Sequence, residues 1–332
     1  MYTPVPDERL KSLVDAHQLY ESYLSALREM ERNASKLAWE RRGSSEYLIS
    51  SRHLHGKLIK KSLGKRSEHT EAVYEIRIQR RAEAIERLEG LALAYQRQIR
   101  INRALKLGDA PSIMVRVLQE IERAGLSKAL RVVGTNALYA YASQASVQFA
   151  DTVVATNDVD LLWDSRTRLQ IASPDHKGLA GVIQRADRSF GRMDDQIYTL
   201  VNKDGYQVDL IKRDEGQQRP EPAQLWENEE DFWAVKVRNM DWLLSSPRFS
   251  SVVIAANGEM AKLETVDPRA FVLFKYWLSD RPDRDRMKAR RDLLQAEVVQ
   301  SLVEQWLPHL PFQGLAAFPQ SVRDRSERGP GA

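Results

Sequence analysis

Arg131-Val132-Val133-Gly134-Thr135-Asn136 and, further along the chain, Asn157-Asp158-Val159-Asp160-Leu161 are the two stretches on which the fold turns. The first is a short β-branched run closed by a glycine, after which helical spacing sets in over residues 136–148, so it reads as strand, turn, helix. The second lies in residues 156–163, where polar and apolar residues alternate as in a half-buried strand. Side chains two apart on a strand share a face, so Asp158 and Asp160 emerge side by side. Two adjacent carboxylates repel and raise each other's pKa unless a cation lies between them. Mg²⁺ answers that need, since it takes one or two carboxylates together with phosphate oxygens and water. A third carboxylate, Asp209, interrupts the apolar run Val208-Asp209-Leu210-Ile211, where an unpartnered charge is costly to bury. The residues alone leave two readings open: an Asp-x-Asp at a strand end also describes a solvated sheet edge. Gly134 lets a phosphate approach the backbone, with the Thr135 hydroxyl and free helix N–H groups as donors, although Thr and Asn are also routine helix caps.

Outward from this centre, residues 197–201 and 206–212 flank Asn202-Lys203-Asp204-Gly205, and residues 251–256 and 260–266 flank Asn257-Gly258. Both read as hairpins, the second more strongly. Strands alternating with helices place the chain in the α/β or α+β class. Gly108-Asp109-Ala110-Pro111 is a seam before an amphipathic helix that begins near Ser112. Helical spacing returns over residues 269–279 and 285–306, and the Arg-, Ser-, Gly- and Pro-rich residues 320–332 read as a disordered tail. Trp226, Trp233 and Trp242 read as packing a polar helix on the sheet. Arg219-Pro220-Glu221-Pro222 reads as a stiff loop, and Asp194-Asp195 and Glu229-Glu230-Asp231 as surface charge.

The 332 residues carry 50 Lys+Arg against 46 Asp+Glu, with 42% hydrophobic and 29% charged residues, a composition that supports two domains. Cysteine is absent, which excludes disulfide scaffolds, thiol nucleophiles, Cys-ligated zinc and iron–sulfur clusters. A metal here is held by carboxylates, His or carbonyls. Neither a basic start with an apolar run nor a membrane-length apolar stretch of roughly 18 residues occurs, so the expectation is a cytoplasmic protein. The formal +4 divides unevenly: residues 1–105 hold 20 basic and 14 acidic residues, a net of +6, and the remainder nets −2. Residues 1–105 read as helical, with a basic segment over 41–66 (Arg41, Arg42, Arg52, Lys57, Lys60, Lys61, Lys65 and Arg66) beside Trp39 and Tyr47. That segment suits a nucleic-acid backbone with stacking aromatics, or equally a solvated helical hairpin. His53-Leu54-His55 lacks a third ligand nearby and joins this segment. Gly-x-x-x-x-Gly-Lys-Ser/Thr, His-Glu-x-x-His and Gly-x-Ser-x-Gly are all missing, against P-loop, zincin and serine-hydrolase chemistry.

A glycine turn, then Asp-x-Asp, then a lone strand Asp resembles the nucleotidyltransferase superfamily that includes DNA polymerase beta. Gly134-Thr135-Asn136-Ala137-Leu138-Tyr139, Asn157-Asp158-Val159-Asp160-Leu161 and Gly205-Tyr206-Gln207-Val208-Asp209-Leu210-Ile211 look like one bacterial branch, the NTP-transferase-like family 8 group. Asp267-Pro268-Arg269-Ala270-Phe271, Lys275 and Lys288-Ala289-Arg290-Arg291-Asp292 extend the likeness over residues 106–302. The chain departs from the superfamily in having Thr135 where Ser or Gly is usual, and in a longer interval from Thr135 to Asp158.

The resemblance implies an α/β (α+β) fold with a mixed-sheet, palm-like core and helical N-terminal and C-terminal parts. The expected divisions are a basic helical domain over 1–105, a catalytic domain over 106–266, a helical cap over 267–312 and a disordered tail over 313–332. It implies a nucleotidyltransferase of the EC 2.7.7 type that moves a nucleoside monophosphate from an NTP such as ATP to a hydroxyl and releases pyrophosphate. Asp158, Asp160 and Asp209 would be the catalytic metal ligands for two Mg²⁺ ions, with Mn²⁺ as a substitute. Gly134, Thr135, Asn136, Lys275 and Lys288 would meet the nucleotide, although a lysine in an apolar helix also reads as one that snorkels out of a core. The acceptor stays open among RNA or tRNA, a protein and a small molecule, and a toxin role follows only by analogy. A non-catalytic nucleic-acid-binding protein and a carboxylate-metal nuclease are the alternatives.

Overall fold

A computed structural model describes residues 1–54, 57–167, 178–193, 196–214, 223–226 and 230–327. The chain divides into two compact units: Lys11–Leu105, and a larger one that joins Met1–Leu10 to Lys106–Ala332. The first strand, β1 (Tyr2–Pro4), belongs to the larger unit, as does the first turn of α1 (Asp7–Arg32).

The smaller unit holds the rest of α1, strands β2 (Lys36–Arg42), β3 (Ser45–Leu54) and β4 (Lys57–Lys65), and the long helix α2 (Glu68–Leu105). The basic segment, expected within a helical domain, is a three-stranded antiparallel sheet in the order β2-β3-β4. Period-two burial wins over helical spacing here. Trp39 and Leu48 are cross-strand partners, Leu48 is fully buried, and Gly43 makes the left-handed turn between β2 and β3. Trp39 meets Tyr74 of α2 with ring centroids 6.0 Å apart, and Tyr23 of α1 stacks on Tyr95 of α2.

The larger unit continues with α3 (Ser112–Arg123), β5 (Leu130–Val133), a 3₁₀ turn (Gly134–Ala137), α4 (Leu138–Ala145), β6 (Val147–Phe149) and α5 (Asp151–Val154). Then come β7 (Asp158–Trp163), α6 (Gly178–Ala186), β8 (Gly191–Arg192), β9 (Thr199–Val201), β10 (Gln207–Arg213), β11 (Val235–Val237) and α7 (Met240–Ser245). It closes with β12 (Arg248–Ile254), β13 (Met260–Val266), α8 (Pro268–Ser279), α9 (Arg286–Trp306) and α10 (Gln320–Glu327). A mixed sheet runs β12-β13-β5-β7-β10-β9-β8, with β11 also beside β10. This is the expected mixed α/β class, and both hairpins form: β9 with β10, and β12 with β13 around Asn257-Gly258.

Met114, Val115, Val117, Leu118 and Ile121 line one face of α3 and are buried, which is the periodicity that makes this segment an amphipathic helix. Helix α8 is buried along most of its length and starts at a cap, where Asp267 accepts from the Arg269 N–H and Pro268 fills the first turn. Outside the sheet, β1 pairs with β6, and the Tyr2 hydroxyl donates to Gln305 of α9.

Three expectations change. The tail is ordered at least to Glu327, because Leu315 and Phe318 in the turns before α10 and Val322 on it are buried, and α10 packs on α8. Trp242 lies on the six-residue α7 among Trp277, Phe274 and Phe318, with no longer polar helix around it among the described residues. Asp231 is fully buried rather than on the surface: its carboxylate accepts from the Leu179 and Ala180 N–H groups at the start of α6, each at 2.9 Å. His55, Asp194-Asp195, Arg219-Pro220-Glu221-Pro222, Glu229 and residues 328–332 lie outside the described residues.

Candidate active site

The sheet order assembles the site. Strand β7 lies between β10, parallel to it, and β5, antiparallel to it. The register sets Asp209 opposite Asp160 on one side and Val133 opposite Asp160 on the other. Val159 and Leu161 are buried on the opposite face, which forces Asp158 and Asp160 to point together. One carboxylate oxygen from each of Asp158, Asp160 and Asp209 lies within 4.8 Å of the others. Two threonines hold the outer pair: the Thr156 hydroxyl donates to Asp158, and the Thr199 hydroxyl donates to Asp209 Oδ1 at 2.6 Å.

Gly134 follows β5 directly, at φ +68°. A Cβ there would run into Asp160 Oδ2, so both the left-handed backbone and the approach of the carboxylate require glycine. Burial first, then the charges of Asp158 and Asp209, push the Asp160 carboxyl up to about 7, with Lys275 and Arg284 pulling against them. Burial likewise raises Asp209, against the hydrogen bond from Thr199. Three converging carboxylates, with neither His nor Cys among them, form a hard oxygen donor set that fits a divalent cation. The penalty for leaving them uncompensated shows in Asp160 itself.

A cavity of about 480 Å³ opens beside Gly134 and Asp160. Its far wall comes from α8 and the loop before α9, and it carries Lys275, Arg281 and Arg284 next to Phe274 and Trp277. Lys275 is buried in the largely apolar helix α8 and does not escape to solvent. Its Nζ lies 2.6 Å from Asp292 Oδ1, and Arg284 meets the other oxygen of Asp292 at 2.7 Å. Burial pulls the Lys275 ammonium down, and Asp292 opposes that shift. Asp292 thus bridges and aims two cavity cations at once, and one carboxylate against two cations leaves the cavity wall net positive.

Thr135 accepts from Arg291 Nη2 at 3.1 Å and from Gln295 Nε2 at 3.2 Å, both on α9. Asn136, expected at the nucleotide, is 1% exposed and donates to the Asp158 carbonyl oxygen. It braces the turn against β7. Lys288 is exposed on the first turn of α9, where its N–H is capped by Asp285, and it does not line the cavity.

Sequence reasoning missed Arg284, Gln295, Thr156 and Thr199. The signals were present: Lys288, Arg291, Asp292 and Gln295 fall at helical spacing on one stripe of α9 with Arg284 just ahead of it, and the β9–β10 hairpin pairs Thr199 with Asp209.

A family model described as nucleotidyltransferase matches residues 112–317, more than half of the chain. No curated protein and no solved structure matches it. The matched span begins with α3 and runs past α9, so it takes in the carboxylate strands, the glycine turn, and the helix α8 and following loop that supply Lys275, Arg281 and Arg284. On that extent of agreement, this chain belongs to the nucleotidyltransferase family.

Proposed function

We propose that the enzyme transfers a nucleoside monophosphate from an NTP to a hydroxyl acceptor and releases pyrophosphate. The observation that carries this reading is the register of β7 and β10, which brings Asp160 and Asp209 together with Asp158 beside the glycine turn. Asp158, Asp160 and Asp209 would hold two Mg²⁺ ions, or Mn²⁺ in their place, which when bound lower the pKa of the acceptor hydroxyl and screen the triphosphate. The backbone at Gly134 and the Thr135 hydroxyl receive phosphate oxygens, helped by the N-terminal end of the helical segment that follows. Lys275 and Arg284 face the cavity as fixed positive charge, and a preorganised cation stabilises charge that develops on transfer. Phe274 and Trp277 give the same cavity an apolar wall for the base.

Nucleic acid is the acceptor class that the smaller unit favours, through Arg41, Lys61 and Lys65, which are exposed on its three-stranded sheet. No helix of the described residues is long and apolar enough to cross a membrane.

The decisive experiment incubates the protein with each labelled NTP, Mg²⁺ and total RNA or lysate. Label transfer that Asp158→Ala abolishes is the expected result. Tight RNA retention without transfer from any NTP would favour the binding-protein reading, and RNA shortening without NTP consumption would favour a nuclease.

A further inference from the structure

The hydroxyl of Thr135 is held by two donors that have nothing to receive. Gln295 is fully buried, and its Nε2 donates to the Val153 carbonyl oxygen at 2.8 Å as well as to Thr135 Oγ1. The Val153 carbonyl accepts only, so it fixes which end of the Gln295 amide faces Thr135. Arg291 is a guanidinium, which has donors and no acceptor. Its Nη2 reaches Thr135 Oγ1 and the Ala155 carbonyl. A threonine hydroxyl has two acceptor lone pairs and one proton to give. Both lone pairs are occupied here, and among the described residues no acceptor takes the proton.

We infer that Arg291 and Gln295 of α9 are positioning residues that lock Thr135 as a one-way donor, aiming its proton at an anionic oxygen of the bound triphosphate. This rests on the nucleotidyltransferase reading of the site and deepens it. A freely rotating hydroxyl next to a polyanion spends part of its time presenting lone pairs to negative charge. The two α9 donors remove those orientations. They also explain why a hydroxyl is retained beside Gly134, and why a buried amide leaves its own Oε1 without a partner: the side chain is used for its NH₂ end.

The test is nucleotide binding, measured by titration calorimetry with ATP, GTP, CTP and UTP in turn, each with Mg²⁺, and with the matching nucleoside monophosphates. Thr135→Val should weaken triphosphate binding at least ~10-fold, as loss of a hydrogen bond to a charged group does, and leave monophosphate binding nearly unchanged. Thr135→Ser should restore most of that affinity. Gln295→Met should weaken triphosphate binding by roughly 5-fold in the parent, but by less than about 2-fold in the Thr135→Val background, since a residue acting through another is non-additive with it. Arg291→Met repeats the same cycle from the half-buried side of α9, should Gln295→Met fail to fold.

Equal losses in both backgrounds, or equal losses for mono- and triphosphates, would show a merely structural role and overturn the inference. Asp158→Ala separates the two levels of the claim. If it abolishes label transfer while Thr135→Val binds triphosphate normally, only this inference fails. If the parent protein binds none of the four triphosphates, the transferase reading fails with it.

Discussion

Asp160 concentrates the cost of the site in one residue. It lies between two other carboxylates and against Gly134, and its carboxyl is raised from 3.8 to about 7. The sign of the resulting pH dependence follows from linkage. Between those two values the folded chain holds a proton that the unfolded chain has released, so this group's contribution to stability is greatest below about 4 and is lost as pH rises from there through 7. In EDTA, the melting temperature should therefore fall between pH 5 and pH 8. Asp160→Asn should remove most of that slope, and Mg²⁺ should flatten it in the parent by neutralising the carboxylates. A parent slope that Asp160→Asn leaves intact would assign the effect to other groups. Thr156 and Thr199 act at the same scale, each holding one oxygen of an outer carboxylate so that the three groups stay convergent.

At the scale of elements, α9 does more than cap the sheet. One stripe of it holds Thr135 through Arg291 and Gln295, and holds Lys275 and Arg284 through Asp292. Breaking a buried ion pair from one side leaves an uncompensated charge, so Asp292→Asn should cost about 3 kcal/mol of stability. The pair Lys275→Met with Asp292→Leu should recover most of that loss in a denaturant titration, because two apolar residues replace the buried pair and Arg284, the third member, is 30% exposed and reaches solvent. Transfer should stay lost in the double variant, since a cavity cation is gone. Recovery of transfer along with stability would reduce Lys275 to a structural ion pair.

At the scale of the whole molecule, charge and chemistry are divided between two units. The three clustered carboxylates lie in the larger one, and the excess of basic residues lies in residues 1–105. Part of that excess is already satisfied: Lys60 and Arg42 meet Glu40, and Arg66 meets Glu46 and Glu71. Arg41, Lys61 and Lys65 are exposed along the strands. Replacing these three with alanine should weaken RNA retention and make the plot of log affinity against log salt shallower, by about 0.7 for each single-strand phosphate that is no longer neutralised. An unchanged slope in filter binding would remove the sheet from acceptor recognition.

The chain's local pattern determined the parts of the catalytic unit that depend on neighbours in sequence. The β-branched run before Gly134, the alternation through Asp158 and Asp160, the Asn257-Gly258 turn and the two late helices were all legible, because strand and helix periods and turn chemistry act over a few residues. The resemblance carried by Gly134, Asp158, Asp160 and Asp209 then identified the chemistry. The smaller unit was misread because Leu and Tyr spacing in its flanking helices masked three strands whose burial is set by each other and by α2. The tail was misread because its three large apolar residues sat among Gly, Ala, Pro, Gln and Ser and ahead of a charged end, with no sign in the sequence of the helix they would cover. What only the tertiary structure decided was pairing: that β10 lies beside β7 and puts Asp209 opposite Asp160, that Asp292 reaches back to Lys275, and that Gln295 and Arg291 converge on a threonine far away in sequence. Such pairings depend on strand order and helix packing, which chain neighbours do not encode, and they turn a recognisable set of residues into a site.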